Sequence, residues 1–313
     1  MFVVGIDGGG TKTRVAVCAS DGTLLHRETL GAFNLSAIGE DGFRRRVGEI
    51  LTLCGDMRAC GAICVGGAGV SGAAMGEILR AELAAHGFAG KLLLCGDHEI
   101  ALGGAMQTPG CVLIAGTGSI CYGKNAAGET FRSGGGGHII DDPGSGYALG
   151  RDALAAALQT EDGRLSENPL HGAVMSAVGG NGIQGIFDFV YFSHRGKGDI
   201  AALAPLVLRC AEQGDTVSLD ILRRGAGELA RLVRAAMERL RLEKGTLCAL
   251  AGGLLAEDNV YRRAVCDALA PFCRPAAPEH DALHGAVQLA LLVGCGFVGI
   301  ILICGIADDP CAV

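Results

Sequence analysis

The chain has 313 residues, half of them hydrophobic, which is enough apolar material for one large core or two linked ones. Charged residues make up 19% and the formal net charge is −7, with no basic stripe to neutralise a phosphate backbone, so nucleic acid is disfavoured as a partner. Glycine is abundant at 52 residues without any period, and Trp is absent, so the chain is rich in tight turns and offers no indole on which a sugar ring could stack.

The 14 cysteines, among them Cys18, Cys54, Cys60, Cys64, Cys95, Cys111 and Cys121, lie mostly in apolar runs, without C-x-x-C or paired metal spacing. They read as buried free thiols of a reducing compartment. Met1-Phe2-Val3-Val4 runs straight into a strand pattern and lacks the basic-then-apolar order of a signal peptide, so a cytoplasmic location is expected.

In chain order, the pattern predicts strand Phe2–Ile6, a turn at Asp7–Thr11, strand Thr13–Ala19 ending at Asp21-Gly22, and a third strand near Thr23–Thr29. Arg44–Leu53 has helical spacing, Gly61–Val65 reads as a short buried strand, Gly76–His86 as a helix and Lys91–Cys95 as a strand. Asp97 follows at that strand's C-terminal end, where open α/β sheets place ligands. A second series opens with strand Cys111–Ala115, turn Gly116–Ser119, strand Ile120–Lys124 and strand Glu129–Arg132. Two halves that each begin strand, glycine turn, strand point to a duplicated α/β unit with a cleft between the copies.

Gly150–Leu242 is chiefly helical, clearest over Ile200–Gln213 and Asp220–Leu242, and is followed by strand Thr246–Leu250, the turn Ala251-Gly252-Gly253 and helix Glu257–Leu269. The uncharged run Gly285–Ala307 is long enough to span a bilayer, but four glycines interrupt it and flanking Lys and Arg are missing. It reads as a buried terminal helix followed by an atypical apolar tail over 294–313. No membrane partner is expected, and a homodimer is left open.

Gly5-Ile6-Asp7-Gly8-Gly9-Gly10-Thr11-Lys12-Thr13 places a carboxylate before consecutive glycines and two hydroxyls, between two strands. Without Cβ shielding, the N–H groups of Gly8, Gly9 and Gly10 can approach phosphate oxygens, Thr11 and Thr13 add donors and Lys12 adds positive charge. The pattern is neither G-x-x-x-x-G-K-[ST] nor G-x-G-x-x-G before a helix, which disfavours the P-loop and dinucleotide readings. Gly116, Thr117, Gly118 and Ser119 form the matching turn of the second half, and Gly252 and Gly253 a third turn suited to close approach by an adenosine.

In this order, Asp7-Gly-Gly-Gly-Thr, Asp97, Gly116-Thr-Gly-Ser, a glycine-rich stretch to Asp142-x-Gly144-Ser145, and Gly252-Gly253, the chain resembles the BadF/BadG/BcrA/BcrD ATPase family, which includes N-acetylglucosamine kinases. The resemblance runs from about Phe2 to Leu292. It implies the duplicated ribonuclease-H-like, actin/hexokinase-type fold, with an N-terminal domain over 1–107 rejoined by the helix near 285–293, a nucleotide-binding domain over 108–284, and ATP with Mg²⁺ in the cleft. It also implies transfer of the γ-phosphoryl group to the 6-hydroxyl of an amino sugar, N-acetylglucosamine or glucosamine, a reaction that rests on positioning and charge stabilisation.

By the same resemblance, Asp97 matches the general base, with His98 as rival proton acceptor and helix capping as the alternative role for Asp97. Asp7 matches the residue that holds Mg²⁺, through water, and Asn34 a residue that hydrogen-bonds the sugar. Thr117 and Gly118 would face phosphates and acceptor, Asp142 would bind the sugar, with Asp141 its neighbour, and Gly135 and Gly136 belong to the same acceptor loop. Two departures stand out: Gly136 occupies the family's usual Trp position and Pro143 its usual Glu position. They leave the kinase class intact and put the identity of the acceptor in question. An ATPase activator of a 2-hydroxyacyl-CoA dehydratase would need glycine-flanked cysteines in the second half, where only isolated Cys111, Cys121, Cys210, Cys248, Cys266 and Cys273 occur. A sugar or nucleotide sensor without turnover is the third reading.

Overall fold

The computed structural model describes residues 1–67, 70, 73–106, 109–192 and 195–294. The chain divides into two compact units: the first comprises Met1–Thr108, Lys124–Thr130 and the chain from Pro278, the second Pro109–Gly123 and Phe131–Ala277.

The first unit contains β1 (Phe2–Gly8), β2 (Lys12–Ala19), β3 (Leu24–Gly31), α1 (Leu35–Cys54), β4 (Cys60–Gly67), α2 (Ala73–Ala85), β5 (Lys91–Cys95) and α3 (Asp97–Ala105). Its sheet has the order β3-β2-β1-β4-β5, with β1, β2 and β3 antiparallel in turn and β4 and β5 added parallel. Alternation along β1 sends Val4 and Ile6 into one core with Phe33, Phe43 and Leu79, and Val3 into the other with Ile100, Leu283 and Ala290. A sheet covered on both faces explains why its inner strands read as nearly unbroken apolar runs. Gly39, at φ 66°, breaks α1 into two helical pieces, so the predicted Arg44–Leu53 helix is the second of them.

The second unit opens with β6 (Gly110–Ala115), β7 (Ser119–Lys124) and β8 (Thr130–Gly134). Helices α4 (Gly146–Glu161), α5 (Pro169–Val178), α6 (Gly182–Phe187), α7 (Lys197–Ala201), α8 (Ala204–Glu212) and α9 (Thr216–Leu240) follow, then β9 (Leu247–Ala251), α10 (Val260–Leu269) and β10 (Arg274–Ala276). The predicted helix Ile200–Gln213 is two helices, because Pro205 in the first turn of α8 has no N–H with which to continue α7. Strand β10 has no counterpart in the sequence reading; it is three residues long and carries Pro275, which a sheet tolerates only at its edge.

The second sheet has the order β10-β9-β6-β7-β8, which from its other edge is third, second, first, fourth, fifth, as in the first sheet. The fold is therefore a duplicated α/β unit. The chain ends its described course in the first unit with α11 (Ala282–Gly294), which packs on α3, β1, β4 and β2. Contact with α3 is close: a Cβ on Gly285 would stand 1.9 Å from the Ile100 carbonyl oxygen. Among the described residues no helix is long and apolar enough to cross a membrane. The apolar run beyond Gly294 lies outside the described residues.

Candidate active site

In the first unit, β1 and β2 pair directly, Asp7 opposite Arg14 and Gly8 opposite Thr13, so Gly9, Gly10 and Thr11 make the turn. Gly9 donates its N–H to the Lys12 carbonyl at 2.9 Å, and Phe33 donates its own to the Gly9 carbonyl at 2.9 Å. The glycines are not equivalent. A Cβ on Gly8 would stand 2.7 Å from the Phe33 ring, whereas one on Gly10 would meet nothing within 4 Å. The Gly10 and Thr11 N–H groups make no hydrogen bond within the described residues, and Gly10, Thr11 and Lys12 are exposed. This outer edge is a cradle with free donors, which suits a phosphate.

Thr13 departs from the reading made on sequence. It is fully buried and donates its hydroxyl to the Gly31 carbonyl at 2.6 Å, so that hydroxyl braces the sheet and only Thr11 offers one at the turn. Asp7 accepts two hydrogen bonds from Arg14, from Nε at 3.0 Å and Nη2 at 2.5 Å, both on Oδ2. Among the described residues its Oδ1 has no hydrogen bond, leaving one hard oxygen of the kind Mg²⁺ takes. No group of three or more His, Cys, Asp or Glu ligands occurs among the described residues. A divalent ion at Asp7 therefore fits as one carboxylate oxygen supplemented by water and phosphate, the usual habit of Mg²⁺.

Asp97 is the first residue of α3, immediately beyond β5. Gly96 is the N-cap, and its N–H is taken by Glu99, so the Asp97 carboxylate shares the helix start with a second acid. Asp97 Oδ1 accepts the His98 N–H at 3.0 Å and lies 3.3 Å from His98 Nδ1. The hydrogen bond from the His98 ring holds the Asp97 carboxyl below its ordinary value, against the opposing effect of burial. The side chain remains 53% exposed, and among the described residues Oδ2 makes no hydrogen bond. An ionised carboxylate with one committed and one open oxygen is suited to accept a proton. Asn34 is half-buried at the start of α1, where its carbonyl accepts the N–H groups of Ala37 and Ile38.

In the second unit, the Gly116–Ser119 turn links β6 to β7, closed by the Gly116 N–H to the Gly118 carbonyl at 2.9 Å. The Thr117 and Gly118 N–H groups make no hydrogen bond within the described residues. Ser119 is a second correction: it is buried and donates its hydroxyl to the Pro143 carbonyl at 2.7 Å, so it anchors the neighbouring loop. Asp142 is 5% exposed, has φ 58° and accepts the Ser119 N–H on Oδ1 at 3.3 Å. Its carboxylate also lies so close to Gly118 that a Cβ there would stand 2.9 Å from Oδ2.

The loop before it is closed by the Gly136 N–H to Asp141 Oδ2 at 2.8 Å, with Gly135 at φ 74°. A Cβ at Gly136 would lie 2.8 Å from that same oxygen, so a Trp there would require Asp141 to move. Downstream, His138 stands edge-on to Tyr147, ring centres 4.8 Å apart. The buried Tyr261 hydroxyl donates to the Gly144 carbonyl at 2.6 Å and pins the loop's end. Gly252, at φ 88°, fills a position where a Cβ would stand 2.3 Å from the Ala115 carbonyl oxygen, while Gly253 has open space beside it. Gly252 is thus required by the turn and Gly253 is free to face a ligand.

Sequence reasoning passed over Arg14 and Asp281. Arg14 Nη1 donates to Asp281 Oδ2 at 2.7 Å, and Arg27 Nη2 to the same oxygen at 3.1 Å. The signal for Arg14 was present, since a hairpin turning at Gly9–Thr11 sets residue 14 opposite residue 7. Asp281 is far away in sequence, and no local pattern marks it.

Comparison with known proteins agrees over nearly the whole chain. It is 33% identical over 299 residues to an N-acetylmuramic acid/N-acetylglucosamine kinase of Clostridium acetobutylicum, covering 92% of this chain and 98% of the relative. It is 30% identical over 263 residues to an N-acetyl-D-glucosamine kinase of Dictyostelium discoideum, covering 77% of this chain and 81% of the relative. The solved structure of a candidate N-acetylglucosamine kinase from Chromobacterium violaceum superimposes with a TM-score of 0.74 at 32% identity, over 93% of this chain and 98% of that one. The model of the BadF/BadG/BcrA/BcrD ATPase family matches residues 4–290, and the chain belongs to that family.

Proposed function

We propose that this protein is an ATP-dependent kinase that transfers the γ-phosphoryl group to the 6-hydroxyl of an amino sugar. The observation that carries the reading is Asp97: a strand-end carboxylate, ionised at neutral pH, that commits only Oδ1 to the helix start and leaves Oδ2 without a hydrogen bond among the described residues. Asp97 takes the proton of the acceptor hydroxyl as the sugar oxygen bonds to the γ-phosphorus and the bond to the β,γ-bridging oxygen breaks, releasing ADP. The Gly10, Thr11, Thr117 and Gly118 N–H groups bind phosphate oxygens, and Lys12 adds charge. Gly252 shapes the third turn and Gly253 faces the adenosine. Mg²⁺, held at Asp7, would neutralise phosphate charge as it shifts to the leaving group.

Asn34, Asp142 and the Gly135–Gly136 loop hold the acceptor. The nearest-named acceptors are N-acetylglucosamine and, from the Clostridium relative's name, N-acetylmuramic acid. A loop without a large side chain at position 136 favours acceptors bulkier than N-acetylglucosamine. The activator reading loses ground, since Cys111, Cys121, Cys210, Cys248 and Cys273 are buried and Cys266 alone of the six is partly exposed, too few to share a cluster between two subunits. ADP release, coupled to an indicator reaction and measured across a panel of amino sugars, tests the proposal. Sugar-dependent ADP supports it; sugar-independent hydrolysis, or tight binding without turnover, refutes it.

A further inference from the structure

We infer that Arg14 is a positioning residue that aims Asp7 at the divalent ion of the bound nucleotide, and that Asp281 at the head of α11 holds Arg14 in place. This rests on the reading of Asp7 as the ion's ligand. All three guanidinium nitrogens are committed: Nε and Nη2 to Asp7 Oδ2, Nη1 to Asp281 Oδ2. The consequence for Asp7 is directional. With Oδ2 fixed by two donors the carboxylate cannot rotate, and Oδ1 is the oxygen left without a hydrogen bond among the described residues. A lysine could not do this, because one ammonium cannot bridge two carboxylates in a fixed plane.

Asp281 is itself doubly anchored. Its Oδ1 accepts the His284 N–H at 2.9 Å at the start of α11, and its Oδ2 takes both Arg14 and Arg27. Sheet register puts the group on one face: Asp7 pairs with Arg14 across β1 and β2, and Arg27 pairs with Ala16, two residues along β2 from Arg14. The four charges alternate and cancel, so Asp7 is supported without a surplus positive charge to repel the ion. The side chains of Asp7 and Arg14 are only 20% and 26% exposed, which separates them from surface pairs that contribute little. Groups that orient a metal ligand in this way typically matter about 10- to 100-fold in metal affinity.

The test is calorimetric binding of ADP with and without Mg²⁺, the readout being the ratio of the two affinities. Arg14→Gln and Arg14→Lys are both expected to lower that ratio about tenfold while leaving metal-free ADP binding unchanged. Asp281→Asn should act in the same direction and less strongly, and it serves if either Arg14 variant fails to fold. Asp7→Asn is the control and should abolish the Mg²⁺ enhancement. If Asp7→Asn abolishes it while the Arg14 and Asp281 variants keep the wild-type ratio, the positioning role is wrong and the Asp7 assignment survives. If Asp7→Asn also keeps the ratio, the assignment of Asp7 falls and the role of Arg14 with it.

Discussion

On the proposed function, replacing Asp97 by Asn removes the proton acceptor and little else. The amide has the carboxylate's shape, and its oxygen can still accept the His98 N–H that Oδ1 accepts at 3.0 Å. Because the side chain is 53% exposed, the change in folding stability should stay within about 0.5 kcal/mol. Loss of a general base lowers turnover by about 10²-fold or more, equivalent to about 2.7 kcal/mol of transition-state stabilisation. Sugar and nucleotide affinities should hardly move. The pH profile adds a second constraint. The His98 hydrogen bond holds the Asp97 carboxyl below its ordinary value, so its protonated, inactive form accumulates only below the usual carboxylate range and the rate is flat from neutrality down to there. The same depression contributes stability above the unfolded-state value, which is lost as pH falls through the folded one. His98→Ala should raise the Asp97 value and shift the acid limb of kcat upward, with little change at pH 7. Steady-state kinetics with calorimetry on both variants decides the matter. Near-normal turnover for Asp97→Asn refutes the assignment, and an equal loss in His98→Ala moves the base to the imidazole.

Gly10→Val and Gly116→Val should weaken nucleotide binding with thermal unfolding unchanged, since a Cβ at 10 meets nothing within 4 Å and one at 116 only Gly253 N at 4.0 Å. Gly8→Val, whose Cβ would strike Phe33, should instead lower the melting temperature, and calorimetry alongside thermal melts separates the two effects. Tyr261→Phe leaves the buried Gly144 carbonyl without its partner and should cost about 1–3 kcal/mol in denaturant unfolding, with a rise in acceptor KM because Asp142 lies two residues away. Burial disfavours charge on His171, but the hydrogen bonds its ring donates to Glu161 at 2.7 Å and Glu167 at 3.0 Å outweigh it and raise its value. Its stabilisation is therefore complete below the unfolded histidine value and fades as pH rises through the folded one, a slope that His171→Gln should flatten in pH-dependent unfolding.

How far the sequence could be read depended on whether each signal was local. Both glycine-turn hairpins, β5 and the position of Asp97 beyond it follow from short apolar runs and turn residues within a few positions, and they emerged with nearly their final bounds. Where a local pattern was interrupted, the reading slipped: Gly39 masked the first piece of α1, and Pro205 divided what looked like one helix. The chemistry of the hydroxyls was less legible still. Thr11 and Thr13 look alike in the motif, and only the pairing of β2 with β3 shows that Thr13 faces the Gly31 carbonyl.

The two units show why a motif can be found more easily than its working atoms. Both sheets have one strand order and both bear a glycine turn between their first two strands, yet the turns are supported differently. In the first, the adjoining carboxylate Asp7 sits in the strand itself and is oriented by a cross-strand arginine and by a residue from the last helix. In the second, Asp142 reaches the turn from a loop more than twenty residues on, in a left-handed conformation, and takes the Ser119 N–H. The shared strand order thus accounts for the turns, whereas the carboxylates beside them come from different places in the two units. On the proposed function, substitutions at Arg14 and at Tyr261 should accordingly impair different steps, metal-nucleotide binding and acceptor binding, and the double variant should lose the two affinities additively.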